Sequence, residues 1–280
     1  MSEILGGYFT SHVPSIGGAI VRGDQQDPYW KPFFDGFPAV RAWLERKQPE
    51  IAVVFYNDHG LNFFLDKMPT FAVGAAAEYR NADEGWGLPV YKPFRGAPDL
   101  SWHIIESLVE QEFDVTMCQE MLVDHALSIP FELAWPECAA WPVRLVPIAI
   151  NTVQHPLPSA KRCLALGGAV NRAIRSWPGE ERIVVIGTGG LSHQLDGQRA
   201  GFINPAYDRF CLDHLAADPD ALTRDSIRQI VAKGGTQGVE ILNWIAARGA
   251  LGDLALHEAS RNYHIPISNT AAATVILEPA

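Results

Sequence analysis

The sequence predicts a layered α/β fold with a central, mostly parallel or mixed sheet flanked by helices. Short runs rich in β-branched residues alternate with longer stretches of helical periodicity, and this alternation is typical of α/β layering. A length of 280 residues is ample for one large buried core, and no repeat, low-complexity tract or linker-like run divides the sequence. We therefore expect residues 1–280 to form a single domain.

Strands are expected where β-branched residues cluster, at residues 51–56, 144–150, 182–186 and 274–277. Helices are expected where apolar residues recur with helical spacing, at residues 38–47, 99–110, 159–176, 205–216 and 236–249. For the last helix we predict Thr236 as the N-cap and Gly249 as the C-terminal stop. Glu240 then lies one turn into this helix on its partly apolar side, where an unpaired carboxylate would be costly.

The composition argues against several classes of protein. The chain has 22 Lys and Arg against 32 Asp and Glu, a formal net charge of -10, so a surface that binds phosphate backbones is not expected. Its apolar runs are far shorter than the ~20 residues of a membrane span, and its first residues lack the basic start of a signal peptide. Four cysteines without Cys-x-x-Cys spacing fit reduced thiols. We expect a cytoplasmic protein that binds neither nucleic acid nor membranes.

Histidines mark the ends of several predicted strands. His12 precedes a proline turn, His59 follows the strand at 51–56, and His193 follows the strand at 182–186 through Gly187-Thr188-Gly189-Gly190. Ligands of open α/β sheets bind at the carboxyl ends of the strands, so these three side chains are expected to converge. Two further histidines, His125 and His264, also lie at such junctions.

The histidine pattern alone leaves the chemistry open. Two imidazoles and a carboxylate form the facial triad of non-haem Fe(II), and the same set can hold a catalytic zinc. A single histidine after a strand is more often structural, and Asp58 could merely cap a turn. The glycine-rich run before His193 matches no nucleotide-binding motif; it is expected to turn the backbone sharply and bring His193 into a cleft.

Seven short motifs then point to a known family. They are Thr10-Ser11-His12-Val13-Pro14, Tyr56-Asn57-Asp58-His59, Ala82-Asp83-Glu84-Gly85-Trp86-Gly87, Val123-Asp124-His125, the run from Gly187 to Leu195, Gly238-Val239-Glu240, and Tyr263-His264-Ile265-Pro266 with Ser268-Asn269-Thr270. In this order they resemble class II, LigB-type extradiol ring-cleavage dioxygenases of the kind represented by the catalytic β subunit of protocatechuate 4,5-dioxygenase. The resemblance covers nearly the whole chain, and the GTGGxSHQL block is highly specific.

The resemblance implies a role for each matching position. His12, His59 and Glu240 correspond to the Fe(II) ligands, His193 to the acid/base residue and His125 to a second active-site histidine. Asn57 corresponds to a pocket residue beside the metal. Ser268 and Asn269 correspond to the segment that receives the carboxylate of the substrate. The implied reaction inserts both atoms of O2 into a carboxylated catechol, protocatechuate above all, to give 4-carboxy-2-hydroxymuconate semialdehyde in aromatic catabolism.

Several alternatives remain open at this stage. Gallate and 3-O-methylgallate are alternative substrates, and a zinc hydrolase or a non-catalytic binding protein of the same fold are alternative functions. The resemblance also implies a small helical α subunit in an α2β2 assembly, because the chain carries no extra segment that could close the pocket. The aromatic residues from Tyr29 to Phe34 and Trp86 are expected either to contact that subunit or to pack under their own loops.

Overall fold

The structure is a computed structural model that describes residues 2–85, 87–136 and 138–280, without the side chains of residues 266 and 267. Its strands are β1 (Glu3–Thr10), β2 (Ile51–Tyr56), β3 (Phe71–Gly74), β4 (Glu78–Asn81), β5 (Phe94–Arg95), β6 (Thr116–Cys118), β7 (Leu122–Val123), β8 (Arg144–Ile150), β9 (Arg182–Thr188), β10 (Leu256–Ile267) and β11 (Thr270–Pro279). Its α-helices are α1 (Pro14–Arg22), α2 (Lys31–Phe34), α3 (Phe37–Lys47), α4 (Pro98–Glu110), α5 (His125–Ala134), α6 (Ala160–Ser176), α7 (Pro205–Ala217), α8 (Ile227–Gly234) and α9 (Ile241–Ala250).

A mixed sheet in the order β10-β11-β1-β9-β2-β8-β3-β6 forms the centre of the fold. The pairs β1–β9, β9–β2, β2–β8 and β3–β6 are parallel, whereas β10–β11, β11–β1 and β8–β3 are antiparallel. A small second sheet has the order β5-β4-β7. This arrangement confirms the predicted α/β class and its central mixed sheet. The assignment of residues 1–280 to one domain stays a prediction.

Helices cover both faces of the large sheet, because its central strands are apolar on both sides. Every residue of β2 is buried. Ile51, Val53 and Phe55 point into a core that α4, α6, α7 and α9 help to build. Ala52 and Val54 point into the opposite core, formed with α1, α3 and α5. None of the helices in the described part of the chain combines the length and the apolar character that a membrane crossing needs.

The prediction for residues 236–249 is wrong in two details. The helix begins at Ile241 after a short 3-10 turn, so Glu240 precedes it and Thr236 is not its N-cap. The preceding backbone is instead tied to the loop after β9, where the His193 N–H donates to the Gly234 carbonyl at 2.8 Å. Gly249 lies inside α9 rather than at its end, because the bare backbone there packs directly against α6.

Candidate metal centre

The carboxyl ends of three neighbouring parallel strands meet at one cavity. His12 follows β1, His59 follows β2 and His193 follows β9, and the order β1-β9-β2 places these ends side by side. The cavity has a volume of about 800 Å³, and its walls include all three histidines together with His125 and Glu240. The convergence predicted from the strand ends is therefore observed.

Glu240 lies at the centre of the histidines. Its Oε2 is 3.6 Å from the Nε2 of His12 and 3.9 Å from the Nε2 of His193. Its Oε1 is 3.8 Å from the Nε2 of His59. These separations exceed ordinary hydrogen bonds, whose heavy atoms lie about 2.7–3.2 Å apart. Three imidazole nitrogens and one carboxylate thus surround a single small space.

The other ring nitrogen of each histidine is held by a hydrogen bond. Nδ1 of His12 is 3.1 Å from the hydroxyl of Thr188, and Nδ1 of His59 is 2.9 Å from Oδ2 of Asp124. Nδ1 of His193 is 2.9 Å from the carbonyl of Leu191. A carboxylate and a carbonyl only accept hydrogen bonds, so His59 and His193 carry a proton on Nδ1 and direct Nε2 into the cavity.

Electrostatics make this space attractive to a cation. Burial opposes the protonation of His59, but the Asp124 carboxylate and then Glu240 raise the pKa of His59 to about 10. Burial likewise disfavours ionisation of Glu240, yet His12 and the other histidines hold the pKa of its carboxyl well below the usual range. The carboxylates of Asp124 and Glu240 thus favour a proton on His59, and a metal cation could take the place of that proton.

The loop after β9 requires glycine at two positions. Gly189 has a φ of 148°, which residues with a side chain rarely adopt. The backbone N–H of Gly190 donates to Oε2 of Glu240 at 2.6 Å, and a Cβ at this position would lie 2.7 Å from Nδ1 of His193. The glycine-rich run therefore turns the chain and admits His193 into the cavity, as the sequence predicts.

A buried ring nitrogen without a hydrogen-bond partner indicates that a metal ion fits between His12, His59 and Glu240. The Nε2 of His12 is buried and has no hydrogen-bond partner, although it is aimed at Glu240. An orphaned buried ring nitrogen is costly unless something binds it, and neutral imidazole nitrogen is a common metal ligand. The ring nitrogens of His12, His59 and His125 also lie within 4.8 Å of one another, so a three-histidine set is available as well.

The remaining predicted site residues fall into two groups. Ser268 lines the cavity, whereas Asn269 beside it is not among the lining residues; the two form the tight turn between β10 and β11, with φ values of 47° and 65°. Asn57 is only 1 % exposed and is not among the lining residues, but its Nδ2 is 3.1 Å from Nε2 of His59. His264 lies within β10 and is not among the lining residues of the cavity. Asp58 caps the following turn by accepting the backbone N–H of Leu61 at 2.8 Å.

The aromatic run near residue 30 is mostly part of the core. Trp30, Phe33 and Phe34 are buried, and they pack against α3 and the sheet. Tyr29 is 47 % exposed, and its hydroxyl accepts the backbone N–H of Ser268 at 3.3 Å. Trp86 lies outside the described residues.

Sequence reasoning assigned no role to four residues that hold the site together. Asp124 and Thr188 bind ring nitrogens of His59 and His12, Glu84 binds His125, and Asn243 donates to the side chain of Asn57 at 2.8 Å. Of these four residues, only Asp124 has a signal in the sequence: it stands just before an apolar run, and aspartate is a preferred helix N-cap. The other partners are distant in sequence and leave no local pattern.

Comparisons with known proteins identify the family of the chain. Residues 6–273 match the family described as the catalytic LigB subunit of aromatic ring-opening dioxygenase. A gallate dioxygenase from Pseudomonas putida is 38 % identical over 197 residues, which cover 70 % of this chain and 57 % of that enzyme. The chain thus spans less than two thirds of the length of this relative.

Two further relatives match along most of their length. A 2,3-dihydroxyphenylpropionate/2,3-dihydroxicinnamic acid 1,2-dioxygenase from Cupriavidus necator is 29 % identical, with 89 % of this chain and 95 % of the relative covered. The enzyme of the same name from Photorhabdus laumondii is 27 % identical, with 96 % and 95 % covered. The fold and these matches define an α/β protein of the ring-opening dioxygenase class with a histidine-lined cavity. The chain belongs to the LigB family, which confirms the resemblance seen in the sequence.

Proposed function

We propose that this chain is an Fe(II)-dependent extradiol dioxygenase that opens the ring of a carboxylated catechol, with protocatechuate as the preferred substrate and 4,5-cleavage as the reaction. The observation that carries the proposal is the centre itself: the unpartnered Nε2 of His12 faces Glu240, with the Nε2 of His59 on the other carboxylate oxygen. Two imidazoles and one carboxylate are the donor set of non-haem Fe(II) dioxygenases. We assign His12, His59 and Glu240 as the metal ligands.

Fe(II) held by these residues would supply the positions at which the two diol oxygens and O2 meet. The chain itself manages the protons. Nε2 of His193 is free to accept a proton because Nδ1 donates to the Leu191 carbonyl, and it faces the same carboxylate as the ligands. His193 therefore takes a proton from the bound phenol and later returns it, as a general base and then a general acid. His125 also lines the cavity and is the second histidine that we assign to catalysis.

The substrate carboxylate is assigned to the turn between β10 and β11. Ser268 lies at the cavity wall and Asn269 follows it, so a hydroxyl donor and an amide donor are available at this turn. Asn57 acts on the pocket through His59, whose Nε2 lies 3.1 Å from the Asn57 Nδ2. A site that hydrogen-bonds one group discriminates against analogues that lack it. Plain catechol should therefore be a much poorer substrate than protocatechuate.

Gallate is the second candidate substrate, because the gallate dioxygenase from Pseudomonas putida shares 38 % identity with the matched region. The two candidates differ by one ring hydroxyl, so a substrate panel separates them. Purified chain is reconstituted anaerobically with Fe(II) and mixed with protocatechuate, gallate, 3-O-methylgallate or catechol while oxygen uptake is followed. We expect one O2 consumed per ring opened, with protocatechuate giving the highest kcat/KM.

Two controls make this experiment decisive. Ser268→Ala should narrow the gap between protocatechuate and catechol, whereas Ser260→Ala, on β10 and outside the cavity lining, should leave it unchanged. The zinc-loaded chain should consume no O2. Hydrolysis by the zinc form without oxygen uptake by the Fe(II) form would overturn the proposal in favour of a metallohydrolase. Binding of the catechols without turnover by either form would favour a non-catalytic binding protein.

A small helical α subunit in an α2β2 assembly is the proposed partner. Three large apolar side chains are exposed: Leu195, which lines the cavity, and Phe64 and Leu65, on the loop after His59. Exposed apolar groups of this kind mark surfaces that another protein covers. Co-expression with a candidate subunit should raise the ring-opening rate and the measured mass. A fully active monomer that no added subunit improves would contradict this assignment.

A further inference from the structure

Two carboxylates share the N-terminus of α5, and each of them connects the helix backbone to an imidazole ring. Oδ1 of Asp124 accepts the N–H of Ala126 at 2.9 Å, while its Oδ2 lies 2.9 Å from Nδ1 of His59. Glu84 repeats this arrangement from a different loop. Its Oε1 accepts the N–H of His125 at 2.7 Å, and its Oε2 lies 2.6 Å from Nδ1 of His125.

The contacts of Glu84 determine which ring nitrogen of His125 carries the proton. Negative charge is favoured at a helix N-terminus, where the first N–H groups have no partner within the helix. A carboxylate accepts hydrogen bonds only, so Nδ1 of His125 is the donor. In the neutral ring the single proton therefore lies on Nδ1, 2.6 Å from Oε2 of Glu84, and Nε2 carries none. The ring is further fixed by stacking on His59, with ring centroids 4.1 Å apart.

We propose that Glu84 is a positioning residue that holds His125 in a single tautomer, with Nε2 available as a proton acceptor at the cavity wall. The consequence for catalysis rests on the proposed function, since it requires a bound diol to supply the proton. The tautomer itself does not depend on that function. Glu84 lies on the loop between β4 and β5, 41 positions before His125 in the sequence.

The capping contact of Glu84 with the His125 N–H is separate from the N-cap of α5 and can be kept while the contact with the ring is changed. Asp124 is the N-cap residue of α5, and its side chain accepts the Ala126 N–H. Glu84→Gln separates the two roles, because glutamine keeps one oxygen for the His125 N–H and presents an amide N–H₂ group to the ring. That amide can only donate, so Nδ1 must become the acceptor and the ring proton must move to Nε2. The shape of the side chain hardly changes.

The first test reads the tautomer directly in the metal-free full chain. Long-range ¹H–¹⁵N correlation spectra of ¹⁵N-histidine protein distinguish a protonated Nδ1 from a protonated Nε2. We expect the Nδ1–H form for His125 in the unmodified chain and in Glu84→Asp, and the Nε2–H form in Glu84→Gln. Glu120→Gln, the same exchange at an exposed site just before β7, should leave the spectrum unchanged. An Nε2–H tautomer in the unmodified chain would overturn the proposal, whether or not the variants fold.

The second test measures ring opening by the Fe(II)-loaded protein. Loss of a residue that orients a metal-site histidine typically costs about 10–100-fold, so we expect Glu84→Gln to lower kcat by that factor with little change in KM. In a His125→Gln background the same change should cost less than about threefold, because the residue that Glu84 positions is gone. Equal losses in both backgrounds would contradict the positioning role. If Glu84→Gln reverses the His125 tautomer but the unmodified Fe(II)-loaded chain opens no ring, the proposed function is refuted and the positioning role of Glu84 is not.

Discussion

Gly190→Ala tests whether the position of the His193 ring, rather than its mere presence, determines turnover. A Cβ on residue 190 would lie 2.7 Å from Nδ1 of His193 and 3.2 Å from Cγ2 of Thr270. Ordinary contact between such atoms needs about 3.5 Å, so the imidazole must retreat by about 1 Å. That movement breaks the hydrogen bond to the Leu191 carbonyl, which is 2.9 Å long. Displacement of a reacting group by about 1 Å can cost about 10²-fold in rate.

The assay compares kcat and bound iron in the same preparations. Gly190→Ala should lower kcat about 100-fold while iron content stays at the level of the unmodified chain, because His12 and His59 are untouched and the backbone N–H to Glu240 remains. Gly238→Ala is the matched control, since its Cβ would meet the Leu191 carbonyl at an ordinary 3.4 Å. A Gly190→Ala enzyme with unchanged kcat, or one that loses iron in step with activity, would refute the reasoning.

Two further predictions concern the scaffold. A Cβ at Gly167 would lie 2.7 Å from the backbone N of Ala250 across the α6–α9 contact, so Gly167→Ala should lower the free energy of unfolding by about 1–3 kcal/mol in urea titrations. Gly168→Ala should instead raise the free energy of unfolding by up to about 1 kcal/mol, because its Cβ would meet Nη1 of Arg172 at an ordinary 3.6 Å. The pKa of Glu278 is lowered because the hydrogen bond from Trp43 Nε1, helped by nearby cations, outweighs burial. A carboxyl whose pKa is lowered in the folded chain stabilises the fold at pH values above the ordinary glutamate pKa, and this stabilisation is lost as the pH falls. Glu278→Gln should therefore reduce Tm at neutral pH, and the Tm difference between the variant and the unmodified chain should shrink below about pH 4. A Tm difference that does not change with pH would contradict this prediction.

Strand and helix positions were predictable where burial leaves a periodic pattern. β2 and β8 have the predicted bounds, because their β-branched residues are buried on both faces. β10 was missed, since this edge strand of twelve residues carries polar and charged side chains. α5 was missed because nine of its ten residues are buried, the polar His125 and Ser128 among them, and because it contains Pro130, so no clear apolar stripe marks it in the sequence.

The candidate centre was predictable in position but not in its supports. Parallel strands bring their carboxyl ends to one edge, and this rule alone brings His12, His59 and His193 together. The hydrogen bonds that fix their rings join side chains far apart in sequence. Glu84 and His125, for example, are separated by 41 positions, and no local pattern connects them. The hydrogen bond from the Gly190 N–H to the Glu240 carboxylate is equally non-local.

We propose that one metal ion is held by His12, His59 and Glu240. The sharpest test of this assignment is anomalous diffraction at the iron edge, measured on anaerobic crystals of the Fe(II)-loaded chain. We expect a single strong anomalous peak within about 2.0–2.3 Å of Nε2 of both histidines and of a Glu240 oxygen. His193 should remain outside bonding distance of the ion. A peak bound by His12, His59 and His125, with Glu240 turned away, would contradict the assignment.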